Sequence, residues 1–385
     1  MSVILLALAA CGTDDGEDQP AADEGDTGAP EEAAPEAEAE TDPAAEDETA
    51  DAAPYYEGRH IEWMVPYGPG GGNDTAARYM AQHLPDHIEG NPTIQVYNSP
   101  GAAGLTGMRD FQDRREADGT NLLIASSSSH FPYILGDPNV QFDLGNFRPV
   151  LGRPSGAVIY VHSDTGIQNA SDLAEYGEPL RYAGLQPSGG ELPRLLLFHL
   201  LDVGIEPVFG YDGRGAARLA FEQGESDVDG QTTAAYFANV QPMVDDGVAV
   251  PLMTHGLTEG DELIRDPEFP DLPHAGEVFE AIHGEPAEGP AWAAYRMLVE
   301  TGNTLQNVIY LHKDVPDEAY QAMVAGFESM INDPDFLAEA EEAIGGYELI
   351  MGDSLEAAVD GMTSPDPEAI DWLNDFLLEE YDVEN

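Results

Sequence analysis

The sequence predicts an α/β fold with two lobes built on mostly parallel sheets. Apolar segments with the alternation of β-strands are followed, several times along the chain, by loops of small residues and then by helical spacing. Repeated strand–loop–helix units are typical of parallel sheets flanked by helices. The length of 385 residues is sufficient for about two domains of ordinary size.

Lobe one begins with three such units. Strands are predicted at 60–65, 93–97 and 121–125. The first strand runs into the glycine-rich loop 68–72, and apolar residues with helical spacing follow at 76–84.

The same pattern continues with new units in lobe two. Strands are predicted at 157–161, 180–184, 206–211 and 248–253, with a short strand ending near 231–233. The part after residue 290 is mainly helical, and its last helix has one apolar face. We assign residues 58–155 together with 255–385 to lobe one, and residues 156–254 to lobe two.

The N-terminal 11 residues have the features of a secretory signal. A short apolar run ends in small residues before Cys11, the one cysteine of the chain, and this run is too short to span a membrane. The segment Leu8–Gly12 (LAACG) resembles a bacterial lipobox, in which the cysteine becomes the lipid-modified first residue. We therefore expect an extracytoplasmic protein that is lipid-anchored at Cys11 to the outer face of the cell membrane.

Residues 12–57 are predicted to form a disordered acidic tether. They are dominated by Glu, Asp, Ala, Pro, Gly and Thr, and residues 12–54 contain no aromatic residue, Ile, Leu or Val. Such a segment buries too little apolar area to offset its ordering entropy.

The charge excludes a nucleic-acid partner. The chain has 74 acidic and 14 basic residues, a net charge of −60, whereas nucleic-acid binding requires clustered Lys and Arg. Residues 12–57 hold 18 of the acidic residues and no basic ones, which leaves −42 on residues 58–385. Thirteen of the basic residues are Arg and one is Lys, and this composition indicates adaptation to high salt, where charge repulsion is screened.

Small polar loops follow five of the predicted strands. The loops are 68–72, 100–104, 126–129, 188–190 and 213–215. Because loops at the carboxyl ends of strands meet in one crevice of an open α/β sheet, we expect a cleft lined by backbone amides and hydroxyl groups. Amides at the start of a helix bind anions, so the pattern favours a receptor for a small anion over a catalytic site.

Three motifs resemble the Bug family of tricarboxylate-transporter (TctC-like) receptors. They are Val65–Asp74 (VPYGPGGGND) followed by Arg78, Asn98–Gly107 (NSPGAAGLTG), and Asp118–Leu123 (DGTNLL). Their order and spacing match over about 65 residues, and weaker similarity continues to about residue 360. The resemblance implies a type II periplasmic-binding-protein fold with a carboxylate ligand held in the cleft between the lobes.

The resemblance also implies which residues bind the ligand. In lobe one these are Tyr67, Gly70, Gly71, Gly72, Asn73, Asp74, Ser127, Ser128, Ser129 and His130, and in lobe two Ser188, Gly189, Gly190, Tyr211, Gly213, Gln231 and Thr232.

The resulting hypothesis is a monomeric receptor that closes on a di- or tricarboxylate-like ligand and delivers it to a tripartite permease. We expect no cofactor, no metal and no enzymatic activity. Other interpretations stay open: a binding protein that partners a sensor kinase, a hydrolase or isomerase, a zinc pair at His83 and His87, and a nucleophile–base pair within 126–130. For Arg78 the four-residue spacing favours an ion pair with Asp74 over contact with the ligand.

Overall fold

A computed structural model describes residues 53–259 and 262–385. The predictions for Cys11 and for residues 12–52 lie outside these residues. Within them the strands are β1 (His60–Val65), β2 (Thr93–Asn98), β3 (Asn121–Ser126), β4 (Phe147–Arg153), β5 (Ala157–His162), β6 (Leu180–Ala183), β7 (Ile205–Val208), β8 (Val228–Thr232), β9 (Ala249–Thr254), β10 (Leu257–Glu259), β11 (Glu262–Ile264) and β12 (Asn307–His312).

The helices of the described residues surround these strands. They are α1 (Gly72–His83), α2 (Leu105–Arg114), α3 (Ser127–Leu135), α4 (Leu192–Leu200), α5 (Arg214–Glu222), α6 (Thr233–Asn239), α7 (Gln241–Asp245), α8 (Ala275–His283), α9 (Pro290–Thr304), α10 (Asp317–Ile331), α11 (Pro334–Ile344), α12 (Gly352–Thr363) and α13 (Pro367–Tyr381). None of the helices in the described ranges is long and apolar enough to cross a membrane.

Two five-stranded sheets carry the architecture. The first has the order β2-β1-β3-β12-β4 and the second β7-β6-β8-β5-β9, while β10 and β11 form a separate hairpin. In each sheet two neighbouring pairs are parallel and two are antiparallel. The sheets are thus more mixed than the strand–helix alternation indicates.

The mixed pairing of the first sheet comes from β12 and β4, two strands that the sequence analysis did not identify. β12 lies between β3 and β4 and is antiparallel to both. It comes from residues 307–312, almost two hundred positions after β3, so local patterns do not reveal where it pairs.

Both faces of the first sheet are buried, and successive side chains of β1 point to opposite faces. Trp63 and Val65 of β1 face a core formed with α1, α10 and α11, whereas Met64 faces a second core formed with α2 and α12. This layered arrangement of helices on both sides of a sheet places the carboxyl ends of β1 and β3 at a common edge.

The second sheet shares its core with helices from the C-terminal part. Side chains of α8, α9 and α13 form one apolar cluster with α4 and with strand residues such as Tyr182. All of residues 255–385 are predicted to belong to lobe one, whereas α8, α9 and α13 pack on the second sheet. The apolar face of a helix shows that the helix is buried, but not which sheet it covers.

The folded part also begins earlier than predicted. Tyr56 is fully buried, and its hydroxyl donates to the carbonyl oxygens of Gly119 and Ala319. The end of the predicted tether is therefore packed structure. The two aromatic residues Tyr55 and Tyr56 mark this change in the sequence, because a solvated tether rarely contains them.

Candidate functional site

The strongest candidate site is a cavity of about 70 Å³ where loops from both sheets meet. α1 and α3 begin at its edge on the side of the first sheet, and α4, α5 and α6 begin at its edge on the side of the second. Its lining is Gly72, Asn73, Ser126, Ser127, Ser128, Phe131, Ala157, Gly190, Glu191, Pro193, Arg194, Arg214, Gly230, Gln231, Thr232, His255, Leu298, Val299, Gly302, Asn303 and Gln306.

The first side of the cavity consists of the starts of α1 and α3. The N-cap residues Gly71 and Ser126 are both extended, and within the described residues neither has a side-chain capping hydrogen bond. Small residues at Gly72 and Ser127 leave the first-turn amides of both helices close to the cavity. Helix N-termini of this kind carry partial positive charge and bind anions.

Tyr67 holds the two loops of this side together. Its hydroxyl accepts a hydrogen bond from the amide of Ser126 at 3.1 Å and lies 2.8 Å from the hydroxyl of Ser129. Burial raises the pKa of the Tyr67 hydroxyl, so the group stays neutral and can act as both donor and acceptor. The Ser126 amide is consequently engaged within the protein and is not a free donor for a ligand.

A buried arginine supports Asn73 from behind. Arg153 is 1% exposed, and it donates to the side-chain oxygen of Asn307 and to the carbonyl of Ile344. Asn307 in turn donates to the side-chain oxygen of Asn73. Burial lowers the pKa of Arg153 to about 10, so it remains charged at neutral pH and adds positive potential behind the first side.

The second side of the cavity carries charged side chains. Glu191 is fully buried, and Arg194 is 5% exposed. Arg214 Nη1 donates to Glu191 Oε1 at 3.2 Å, and its Nη2 contacts Asp229. Tyr160 and Gln231 also donate to Asp229, so this carboxylate is held on several sides.

One buried histidine lies behind each side. His130 contacts Tyr310, and His255 contacts Tyr295. The pKa of both histidines is lowered to about 3, by burial at His130 and by burial together with the charge of Arg194 at His255. Both imidazoles are therefore neutral at physiological pH, and neither supplies positive charge to the cavity.

The two sides also touch directly at their rims. The amide of Gly68 donates to the carbonyl of Asp212 at 3.0 Å. A Cβ on Gly215 would lie 2.6 Å from the carbonyl oxygen of Pro69, so the backbones of these two loops approach more closely than a side chain permits.

The residues implied by the family resemblance fall into two groups. The cavity lining contains Gly72, Asn73, Ser127, Ser128, Gly190, Gln231 and Thr232. Tyr67, Gly70, Gly71, Asp74, Ser129, His130, Ser188, Gly189, Tyr211 and Gly213 are not part of that lining within the described residues.

Members of the second group have other contacts on the first-sheet side. Asp74 accepts hydrogen bonds from the amide of Gly70 and from Arg78, so the predicted Asp74–Arg78 ion pair is confirmed. Gly71 is the N-cap residue of α1 and lies outside the lining, and a Cβ on Gly71 would make only ordinary contacts, 3.8 Å from the Cβ of Arg214.

The remaining members lie around the second sheet. Ser188 donates to Asp137, and Gly189 lies against the carbonyl of Ser128. Tyr211 packs on a small cluster of alanines, and Gly213 faces the backbone of Gly68.

Sequence reasoning missed the charged half of the cavity. Glu191 is the N-cap residue of the apolar helix α4 and Arg194 lies in its first turn, so the sequence around them is typical of a buried core helix, and Arg214 was not distinguished from its glycine neighbours. The available signal was the cost of burying charge, because an arginine among leucines requires a partner.

The described residues contain no group of side chains suited to a metal ion. In residues 53–259 and 262–385 no three His, Cys, Asp or Glu side chains are grouped to hold a metal ion. His87 bonds to Ser329, and His83 packs between Tyr79 and Phe336.

Comparison with known proteins gives one match in sequence and many in structure. No family model matches the chain. A segment of 78 residues is 41% identical to the protein BugT of Bordetella pertussis, and it covers 20% of this chain and 23% of BugT. The aligned part is thus less than a quarter of the length of that relative.

Solved structures match over most of the chain. The periplasmic binding protein BugD aligns with a TM-score of 0.66 and 21% identity, over 86% of this chain and 99% of BugD. MatC from Rhodopseudomonas palustris with bound malate aligns with a TM-score of 0.61 and 18% identity, over 82% of this chain and 98% of MatC. An R. palustris protein with adipate aligns with a TM-score of 0.63 and 18% identity, over 80% of this chain and 94% of that protein. The two-lobed periplasmic-binding-protein fold and the resemblance to Bug and TctC-like receptors are therefore confirmed.

Proposed function

We propose that this protein is an extracytoplasmic receptor that captures a small di- or tricarboxylate-like ligand between its two sheets. The observation that carries the proposal is the meeting of two helix N-termini, α1 and α3, in one small cavity. Their free amides can hold a carboxylate without any counter-charge from the surface. Malate and adipate in the structures of similar fold support this class of ligand.

The electrostatics of the whole chain restrict how such a ligand is held. A net charge of −60 repels anions at long range, but at about 1 M salt the Debye length is about 3 Å, so distant acids are screened. Short-range hydrogen bonds then determine the affinity for the ligand, and each contributes about 1.5–3 kcal/mol when one partner is charged. We propose accordingly that the acidic composition is a halophilic adaptation, and a melting temperature that does not rise with NaCl concentration would contradict it.

Delivery completes the proposed role. The receptor acts as a monomer tethered through a lipid on Cys11, and it presents the liganded, closed form to the membrane subunits of a tripartite tricarboxylate-type permease. Partition of the full-length protein into a detergent phase, and its loss in Cys11→Ala, tests the anchor. A sensor kinase as the partner is the alternative, and co-purification with permease subunits rather than with a kinase separates the two.

Titration calorimetry on the purified chain in about 2 M NaCl tests the ligand class. We expect heats of binding with di- or tricarboxylates and none with sugars of similar size. The proposed absence of catalysis is checked in the same samples, because the recovered ligand should be chemically unchanged by NMR. Absence of binding across a panel of mono-, di- and tricarboxylates would overturn the proposal.

A further inference from the structure

Arg194 is a buried cation in the wall of the cavity. It lies in the first turn of α4, between leucines that belong to the core of the second sheet. Its side chain reaches the cavity lining beside Gly230. A Cβ on Gly230 would lie 2.4 Å from Arg194 Nε, which is shorter than a normal contact. The guanidinium therefore lies directly against the backbone of Gly230, where only glycine leaves room for it.

The charge of Arg194 lacks a counter-ion within the described residues. Its Nη1 donates to the hydroxyl of Tyr182, its Nε has no hydrogen-bond partner there, and no described carboxylate forms an ion pair with it. A buried charge is costly unless it is paired and hydrogen-bonded. Such a group in a ligand cavity is a site for a negative charge supplied from outside.

The neighbouring arginine shows the contrast. Glu191 and Asp229 both contact Arg214, so the two carboxylates of this wall are used by one guanidinium. His255, which is also part of the lining, is neutral and does not compete for an anion. The wall as a whole is close to neutral, but its charges are distributed so that Arg194 remains available.

We propose that Arg194 binds a second carboxylate of the ligand, opposite the carboxylate held by the amides of α1 and α3. Arg194 is then the residue that selects dianions over monoanions. This inference rests on the proposed function and specifies its substrate class: a dicarboxylate with its charges at opposite ends of the cavity.

Calorimetry with matched ligands tests the inference. Succinate, glutarate and adipate are each compared with the corresponding monoamide, which has nearly the same shape and one charge less. For the wild type we expect the best dicarboxylate to bind at least about tenfold more tightly than its monoamide, since a charge-assisted bidentate pair is lost. In Arg194→Gln the dicarboxylate affinity should fall about 10- to 100-fold, while the monoamide affinity changes less than about threefold.

Two further variants separate selection from structure. Arg194→Lys keeps the charge and should keep part of the preference, although it lacks the planar fork of arginine. Arg181→Gln removes an exposed arginine of the same sheet, paired with Asp227, and should leave binding unchanged. The melting temperature of ligand-free Arg194→Gln should not fall, because the variant removes an unpaired buried charge.

The possible outcomes are distinguishable. If no carboxylate binds the wild type, the proposed function fails. If dicarboxylates bind without preference over their monoamides, or if Arg194→Gln retains the preference or weakens both ligands equally, the role of Arg194 is overturned while the proposed function stands. If Arg194→Gln does not fold, a wild type without preference still overturns the role of Arg194, and a wild type with preference is tested by its reduction in Arg194→Lys.

Discussion

The two sides of the cavity differ in how they can hold an anion. The first side offers backbone amides at Gly72 and Ser127, where the side chains are small. The second side offers charged side chains, above all Arg194 and Arg214. Backbone amides can bind any carboxylate of suitable size, whereas a charged side chain at a defined position distinguishes one ligand from another. The first side thus provides affinity for an anionic group, and the second side provides selection among different anions.

The largest expected effect comes from filling the first side. A Cβ on Gly72 would lie 2.5 Å from the hydroxyl oxygen of Thr232, across the cavity. Gly72→Val should therefore lower carboxylate affinity at least about 100-fold, because the ligand loses several hydrogen bonds of about 1.5–3 kcal/mol each. The overpacking should also reduce the unfolding free energy by about 1–3 kcal/mol.

Calorimetry measures the affinity, and urea unfolding measures the stability. The matched control is Gly177→Val, because the space around a Cβ on Gly177 is open and the residue is distant from the lining. Wild-type affinity in Gly72→Val would show that the ligand does not use the start of α1.

The sequence predicted the first side far better than the second. Its amides lie in glycine- and serine-rich loops directly after β1 and β3, and both the loop composition and the strand pattern are local features. The importance of Arg194 depends on the absence of an ion pair with any carboxylate among the described residues, which is a property of packing. Helix α4 appears from its composition as an ordinary apolar helix.

Local sequence patterns also predict the fold only in part. The predicted strands at 60–65 and 121–125 agree with β1 and β3 to within one residue, because alternation and flanking turns define them. The position of β12 between β3 and β4 in the first sheet, and the packing of α13 on the second, depend on contacts between distant segments. Such contacts follow from the total arrangement of apolar faces, which no single window of sequence contains.

A smaller expected effect is the pH dependence of stability that comes from the buried histidine on each side. The pKa of His130 and of His255 is lowered to about 3, so the folded protein excludes a proton that the unfolded chain binds below about pH 6.5. The stability contributed by each neutral imidazole is complete above that pH and is lost as the pH falls toward 3. Each histidine should contribute a slope of up to about 1.4 kcal/mol per pH unit within this window.

Urea unfolding from pH 7.5 to 4.5 at constant high salt measures these slopes. Because many surface carboxylates titrate in the same range, the informative quantity is the difference between the wild type and His130→Gln or His255→Gln. Each variant should lose less stability on acidification than the wild type. In Arg194→Gln the pKa of His255 should rise and that of His130 should stay the same, because of these two histidines only His255 has its pKa lowered by the charge of Arg194. Equal pH slopes in the wild type and both histidine variants would contradict the prediction.

The smallest expected effect concerns Arg78, which lies behind the first side and outside the cavity lining. Arg78 donates to Asp74 at 2.9 Å and to Asn98 at 2.8 Å, and its side chain is 46% exposed. Burial raises the pKa of Asp74, but hydrogen bonds from Arg78, the Gly70 amide and Asn98 outweigh it and hold the pKa below its usual value.

Two of those three bonds survive in Arg78→Gln, so Asp74 should keep the loop of Gly70 in place. The unfolding free energy should fall by less than about 1 kcal/mol, as for other exposed ion pairs, and carboxylate affinity should change by less than about twofold. Asp74→Ala is the informative contrast, because it removes the acceptor of the Gly70 amide and should loosen the start of α1. If Arg78→Gln instead weakens binding tenfold or more, Arg78 contacts the ligand, and the first side also holds anions through a side-chain charge.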